Sequence, residues 1–378
     1  MSSSSIISID EPIASTRRDW SDLNKELLSC ILTRLAIGDY YTFQLVCRSW
    51  KSITSLPCPS LPFSLKHGSP CDIDSYENLH LMYLNKKTRL FNFYDPTRNI
   101  NFSLNIPQLL NDDSGEVQLY YAKNGWLLLG RGGASYFFFN PLTKVTIDIH
   151  TPDIPFSFVC FSGSPTSSNC QIVGIVSVLS KFITVGILNL GENSWSLYSQ
   201  IENNIDFIAS NCTPVICNRY IYILGESGNL GKLKIPKEEH ANYISWNIIG
   251  KSHGQQFKNF GDRFLLESDG DLMCVATHED GEVRVLKLDS KMVWKKIENL
   301  KGKSFYVSSK ISLSREATAR GTSNKIYFPK FCDGKGVFYC LATKRWRNFP
   351  QNFSSKNYYN TRGIVQCIWT RLPTISNS

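Results

Sequence analysis

The stretch Leu286-Lys-Leu-Asp-Ser-Lys-Met-Val-Trp294 decides how this chain of 378 residues folds. Apolar and polar residues alternate into it, a polar turn follows, and a tryptophan opens the next run, which is the pattern of one β-strand handing over to another. The same unit stands at Leu188-Asn-Leu-Gly-Glu-Asn-Ser-Trp195, at Ile244-Ser-Trp246 and at Leu341-Ala-Thr-Lys-Arg-Trp346, so its tryptophans recur at intervals of about fifty residues. Two earlier copies keep the turn and lack the tryptophan, Tyr94-Asp-Pro-Thr-Arg-Asn-Ile100 and Phe139-Asn-Pro-Leu-Thr-Lys-Val145. A unit of this length suits a four-stranded blade, and the repeats predict an all-β body shaped as a β-propeller of about six blades, with seven as the alternative. A non-repeating sandwich has no reason to space its tryptophans evenly.

Outward from these units, short β-branched and aromatic runs alternate with Gly, Asn, Asp and Pro turns, as in Tyr136-Phe-Phe-Phe139, Ile172-Val-Gly-Ile-Val-Ser-Val178 and Tyr220-Ile-Tyr-Ile-Leu224. The segment Ile364-Val-Gln-Cys-Ile-Trp369 follows the last unit. It is expected to pair with the first blade and close the ring, which removes an open strand edge. Trp-Asp dipeptides are absent and Gly-Gly occurs only at Gly132-Gly133, so neither a WD-repeat nor a regular kelch pattern fits.

Ahead of Pro62 the period is helical. Leu27, Leu28, Ile31, Leu32 and Leu35 form one apolar stripe, Asn24 is placed to cap the helix, Gly38 to end it and Asp39 to cap a second. The second helix carries Phe43, Val46, Trp50 and Ile53, and Leu56-Pro-Cys-Pro59 stops it. Two short helices cannot bury this much leucine between themselves, which implies a partner surface. Trp20-Ser-Asp-Leu-Asn-Lys-Glu-Leu-Leu-Ser-Cys-Ile-Leu-Thr-Arg-Leu35, followed by Asp39 and Val46-Cys-Arg-Ser-Trp-Lys51, resembles an F-box. Asn24 stands where that family usually has proline. The resemblance implies docking on a Skp-family adaptor, and through it a cullin, by Leu23, Leu27, Leu28, Ile31, Leu32, Leu35, Val46 and Trp50. The predicted division is a tail over 1–16, the small all-α F-box over 17–56, a linker over 57–62, the propeller over 63–373 and a tail over 374–378.

The body adds a second resemblance. Asn124-Gly-Trp-Leu-Leu-Leu129, Phe139-Asn-Pro-Leu-Thr143, Leu266-Glu-Ser-Asp-Gly-Asp-Leu272 and Ser323-Asn-Lys-Ile-Tyr-Phe328 come in an order similar to the kelch-like propeller of plant F-box proteins of the KIB and SKIP type. That likeness implies a plant source and a propeller that captures a client protein for ubiquitination. The expected function is therefore the substrate receptor of an SCF-type ubiquitin ligase. The alternative is an interaction protein that binds and blocks a partner such as a kinase.

Composition bounds what else the chain does. A hydrophobic fraction of 42% and a charged fraction of 19% are ordinary for a globular protein. The twelve cysteines are scattered, with no C-x-x-C, and read as free thiols in a reducing compartment. The N-terminus lacks the basic and apolar regions of a signal peptide, and no apolar run is long enough to cross a membrane, so a cytoplasmic or nuclear site is expected. The net charge is +9, but its densest stretch (Lys287, Lys291, Lys295, Lys296, Lys301, Lys303) is interrupted by Asp289 and Glu298 and reads as a solvated face, not a nucleic-acid patch. The six histidines show no metal spacing, there is no G-x-S-x-G, and Asp269, Asp271, Glu279 and Asp280 flank Gly270 and Gly281 as turn residues. No catalytic site, cofactor or metal is expected. Client contacts are expected on propeller loops, with Arg131, His278, Glu279, Asp280, Phe331 and Lys335 as candidates.

Overall fold

The computed structural model describes residues 20–32, 43, 46–54, 79–85, 90–96, 99–104, 117–132, 135–141, 143–150, 155–167, 169–179, 182–201, 207–235, 244–250, 257, 260–278, 280–317, 321–348, 362–363 and 367–371. The chain divides into two units, one preceding Glu77 and one spanning Glu77–Pro373. The predicted tails and linker, and the proposed Gly38 and Asp39 helix boundaries, lie outside the described residues.

The first unit is helical. A 3-10 turn at Trp20–Asp22 leads to α1 (Lys25–Leu32), and α2 (Arg48–Thr54) follows. Asn24 caps α1 as its chemistry suggests: the Leu27 N–H donates to its side-chain oxygen at 2.9 Å, and the Leu28 N–H donates to its carbonyl at 3.1 Å. Leu28 and Phe43 are buried together, with Leu23, Ile31 and Trp50 packed against them. The Trp50 indole donates to the Trp20 carbonyl and ties α2 to the start of the unit.

The second unit is a six-bladed β-propeller. Its first sheet holds β1 (Leu79–Asn85), β2 (Leu90–Asp95) and β3 (Ile100–Leu104). The second is β4 (Val117–Lys123), β5 (Trp126–Arg131), β6 (Ser135–Phe139) and β7 (Thr146–Ile149). The third is β8 (Phe158–Phe161), β9 (Gln171–Leu179), β10 (Phe182–Asn189) and β11 (Ser196–Ile201). The fourth is β12 (Val215–Cys217), β13 (Tyr220–Leu224), β14 (Leu230–Lys234) and β15 (Ser245–Ile249). The fifth is β16 (Phe260–Ser268), β17 (Asp271–His278), β18 (Val283–Leu288) and β19 (Trp294–Ile297). Each of these is an antiparallel meander in chain order.

The sixth sheet departs from the four-stranded plan. It holds β20 (Lys303–Tyr306), β21 (Leu313–Glu316), β22 (Lys325–Cys332), β23 (Lys335–Cys340), β24 (Arg345–Asn348) and the short β25 (Arg362–Gly363). Here β20 pairs antiparallel with β21 but parallel with β22. The reversal is made at Ser308–Ser312, where the Ser308 hydroxyl and the Ile311 backbone exchange hydrogen bonds. Finally β26 (Cys367–Arg371) joins the first sheet, with Trp369 opposite Leu81 on β1, so the ring is closed as the sequence predicts.

The repeat unit acquires a physical reason. Trp195, Trp246, Trp294 and Trp346 stand just before or on an end strand of the third, fourth, fifth and sixth sheets, and a short turn leads into that strand in the third, fifth and sixth. Such a turn takes a left-handed residue at Asn99, Lys144, Met292 and Lys344, with φ between 53° and 59°. The indoles then reach across to the blade before: Trp195 to the His150 carbonyl, Trp294 to Gly228 at 2.7 Å and Trp346 to Gly281 at 2.6 Å. Trp369 donates likewise to the Val307 carbonyl at 2.8 Å, and the Gly336 N–H donates to the Tyr94 hydroxyl, so the first and last sheets are stitched together. Trp294, Trp346 and Trp369 thus each bury a large apolar ring and satisfy its polar N–H between blades, whereas Trp246 buries its ring with no hydrogen-bond partner for its N–H.

Candidate functional site

Three regions have the chemistry of a recognition surface. The helical unit divides the predicted docking residues by depth. Leu27 and Val46 are 52% and 51% exposed, Leu23, Ile31 and Trp50 are half-buried, and Leu28 is sealed. Adjacent helix positions lie about 100° apart, so Leu27 and Leu28 cannot share one side of α1. The side chain of Leu32 and all of Leu35 lie outside the described residues. Trp20, 72% exposed, is a further open apolar side chain of this unit and is missed by a reading of the helical stripe, because it precedes the helix. Its signal was its place at the head of the motif.

The predicted client residues fall on turns of three blades: Arg131 on β5–β6 and His278 and Asp280 on β17–β18, each between a second and a third strand, and Phe331 and Lys335 on β22–β23, between the third and fourth strands of the sixth sheet. The β5–β6 and β17–β18 turns, at the same place in two regular meanders, share one end of the propeller. The Arg131 guanidinium lies 4.7 Å from the centre of the Phe137 ring. His278 Nδ1 sits 3.0 Å from the Asp280 carboxylate, which is held below its usual range first by the Glu282 N–H and also by His278 and Arg284. Phe331 packs on Tyr94 and Tyr83, at 5.0 and 6.0 Å between ring centres, and so takes part in the contact between the last sheet and the first. Glu279 lies outside the described residues.

Two cavities open among the innermost strands. The larger, about 570 Å³, lies between Tyr120, Phe158, Ser210 and Lys310, and the smaller, about 180 Å³, between Tyr121, Glu267, Ser312 and Arg315. The lining of the two comes from β4, β8, β16, the segment leading into β12, and the β20–β21 region, which contact one another around the ring. Nothing in the sequence singled out residues 309–315, since the channel is assembled from segments distant along the chain.

The lysine-rich stretch is largely neutralised in place. Lys287 pairs with Asp271, Lys295 with Asp289 at 3.0 Å, Lys296 with Glu282 at 3.3 Å, and Lys303 with Asp269 and Glu316. The Asp269-Gly270 pair has the two positive φ values of a tight hairpin turn, as read from the sequence, and so does Asp333-Gly334. Among the described residues, no group of three or more His, Cys, Asp or Glu could hold a metal ion. Nine cysteines are described and all are free, six of them buried.

A helical pair with an exposed apolar face, carried on the same chain as a six-bladed ring, defines an F-box propeller protein. The F-box domain model matches residues 20–60. The KIB1-4 beta-propeller model matches residues 90–354, and the chain belongs to that family. F-box/kelch-repeat protein At1g57790 of Arabidopsis thaliana is 26% identical, over 86% of this chain and 88% of its own length. F-box protein At3g56470 of the same plant is 27% identical, over 77% and 72%. Among solved structures, AofleA from Arthrobotrys oligospora aligns with a TM-score of 0.35 and 9% identity, over 63% of this chain and 69% of that one, a likeness too slight to argue from.

Proposed function

We propose that this protein is the substrate-recognition subunit of an SCF-type ubiquitin ligase. Its helical unit docks on a Skp-family adaptor, which links it to a cullin, and its propeller holds the client. The observation that carries this reading is the exposure of Trp20, Leu27 and Val46 in a unit whose small core holds Leu28 and Phe43. A helical unit that buries its own core yet leaves three large apolar side chains in water is built for a second protein. The propeller contributes proximity, holding a client near ubiquitin carried by other subunits, and acts as an adaptor, not a catalyst. Client contacts are assigned to the turns that bear Arg131, His278, Asp280, Phe331 and Lys335. The work is done in the cytoplasm, the nucleus or both.

Pull-down of the purified full chain with a plant Skp adaptor tests the docking step. Leu27→Asp should abolish capture while the propeller stays folded. Failure of the unaltered chain to bind, beside an F-box protein that does, would end the reading. Asn24, the one departure from the usual motif, caps α1 and starts the helix as proline would. The alternative is a protein that binds and blocks a partner without assembling a ligase. Client half-life separates the two, since it lengthens on loss of this protein only if degradation follows capture.

A further inference from the structure

The larger channel cavity carries a chemistry that docking and ubiquitination do not use. Its walls combine apolar faces (Tyr120, Phe158, Ile223) with the hydroxyls of Ser157 and Thr213, and Lys310 is its one basic lining residue. No carboxylate lies among its lining residues. Lys310 is half-buried, and no described carboxylate is within ion-pair range of its ammonium; its ammonium instead lies 5.4 Å from the centre of the Tyr120 ring. This sets it apart from Lys287, Lys295, Lys296 and Lys303, each of which faces an acid. The nearby Cys367 thiol is pushed up to about 12 by burial and is uncharged at neutral pH, so it offers Lys310 no counter-charge. Burial pulls the Lys310 ammonium below the ordinary lysine range, as expected for a cation desolvated without a partner.

We propose that this cavity is a binding site for a small organic carboxylate, with Lys310 as its counter-ion and the Tyr120 and Phe158 rings flanking its apolar part. A volume of about 570 Å³ lies within the range of small-molecule sites, and a mostly apolar wall with one fixed charge gives both affinity and orientation. A carboxylate entering here exchanges water for a charge-assisted hydrogen bond in a partly desolvated setting, where such a bond is strongest. The ligand would sit against β8, the β20–β21 turn and the segment before β12, and so bridge three blades. The site is independent of the ligase reading, because it requires neither the helical unit nor a client.

Isothermal titration calorimetry on the purified full chain tests it, with biphenyl-4-acetate as the probe and biphenyl-4-acetamide as its uncharged counterpart. The acid should bind at least about tenfold more tightly than the amide. Lys310→Met should erase that preference, Lys310→Arg should keep it, and Lys291→Met, an exposed lysine remote from the cavity, should leave it unchanged. Equal binding of acid and amide overturns the proposal, as does an undiminished preference in Lys310→Met or no binding of the acid up to its solubility limit. The acid–amide comparison is made on the unaltered chain, so it stands even if Lys310→Met fails to fold.

Discussion

In the helical unit Trp20 lies open to water and Trp50 is half-buried, whereas in the propeller Trp294, Trp346 and Trp369 are sealed and each donates its indole N–H to a neighbouring sheet. The same residue type serves opposite ends. The propeller completes its burial within one chain, because every blade offers its apolar face to the next and the ring has no end blade. The helical unit buries Leu28 and Phe43 and leaves the rest of its apolar surface unpartnered. Among the described residues, the propeller seals most of its large aromatic side chains while the helical unit leaves Trp20, Leu27 and Val46 open.

The comparison breaks most readily at the ring closure. Trp369→Ala removes a buried ring and its hydrogen bond to Val307, and should cost about 3–5 kcal/mol, read by denaturant unfolding of the full chain. A loss below about 1 kcal/mol would mean that the ring does not depend on β26. Next comes Gly231→Ala. A Cβ there would stand 2.0 Å from the Trp246 ring, which is itself buried, so the ring must shift at a cost of about 1–3 kcal/mol, seen as a lowered Tm.

The helical unit sharpens the contrast by giving different answers at adjacent residues. Leu28→Ala should lose about 2–5 kcal/mol in that unit, followed by the near-ultraviolet signal of Trp50. Leu27→Asp should change stability by no more than about 0.5 kcal/mol. Equal effects at the two positions would refute the division into an inner and an outer face. In the propeller a small effect is expected at Lys303→Met, which removes ion pairs to the exposed Asp269 and Glu316 and should cost about 0.2–1 kcal/mol, falling with added salt.

Much of the fold was legible because its repeat is written in bulky residues. A tryptophan that packs between blades has to recur once per blade, so Trp195, Trp246, Trp294 and Trp346 counted four blades, and the turns after Tyr94 and Phe139 counted two more. The helix cap at Asn24 was legible for a local reason, since cap and amide are three residues apart. The β20–β21 hairpin was not, because parallel and antiparallel partners leave the same alternation in a strand only four residues long. The channel cavity was invisible for a different reason: Tyr120, Phe158, Thr213 and Lys310 meet only after five blades have been laid down. Phe331 looked like a loop residue beside Asp333-Gly334, yet its ring rests on Tyr94 and Tyr83, a contact between the two ends of the chain's β-body.

The closing strand β26 is synthesised after every other strand of the ring. On the ribosome the blades therefore emerge in order, with the first sheet short of its fourth strand until residue 371 has left the exit tunnel. A transcript cut short before that point would encode an intact docking helix pair attached to a ring that cannot seal. If the chain is the ligase receptor proposed above, such a product would occupy adaptor without delivering a client, and a late stop codon should act as a poison of the wild-type protein, not as a simple null allele.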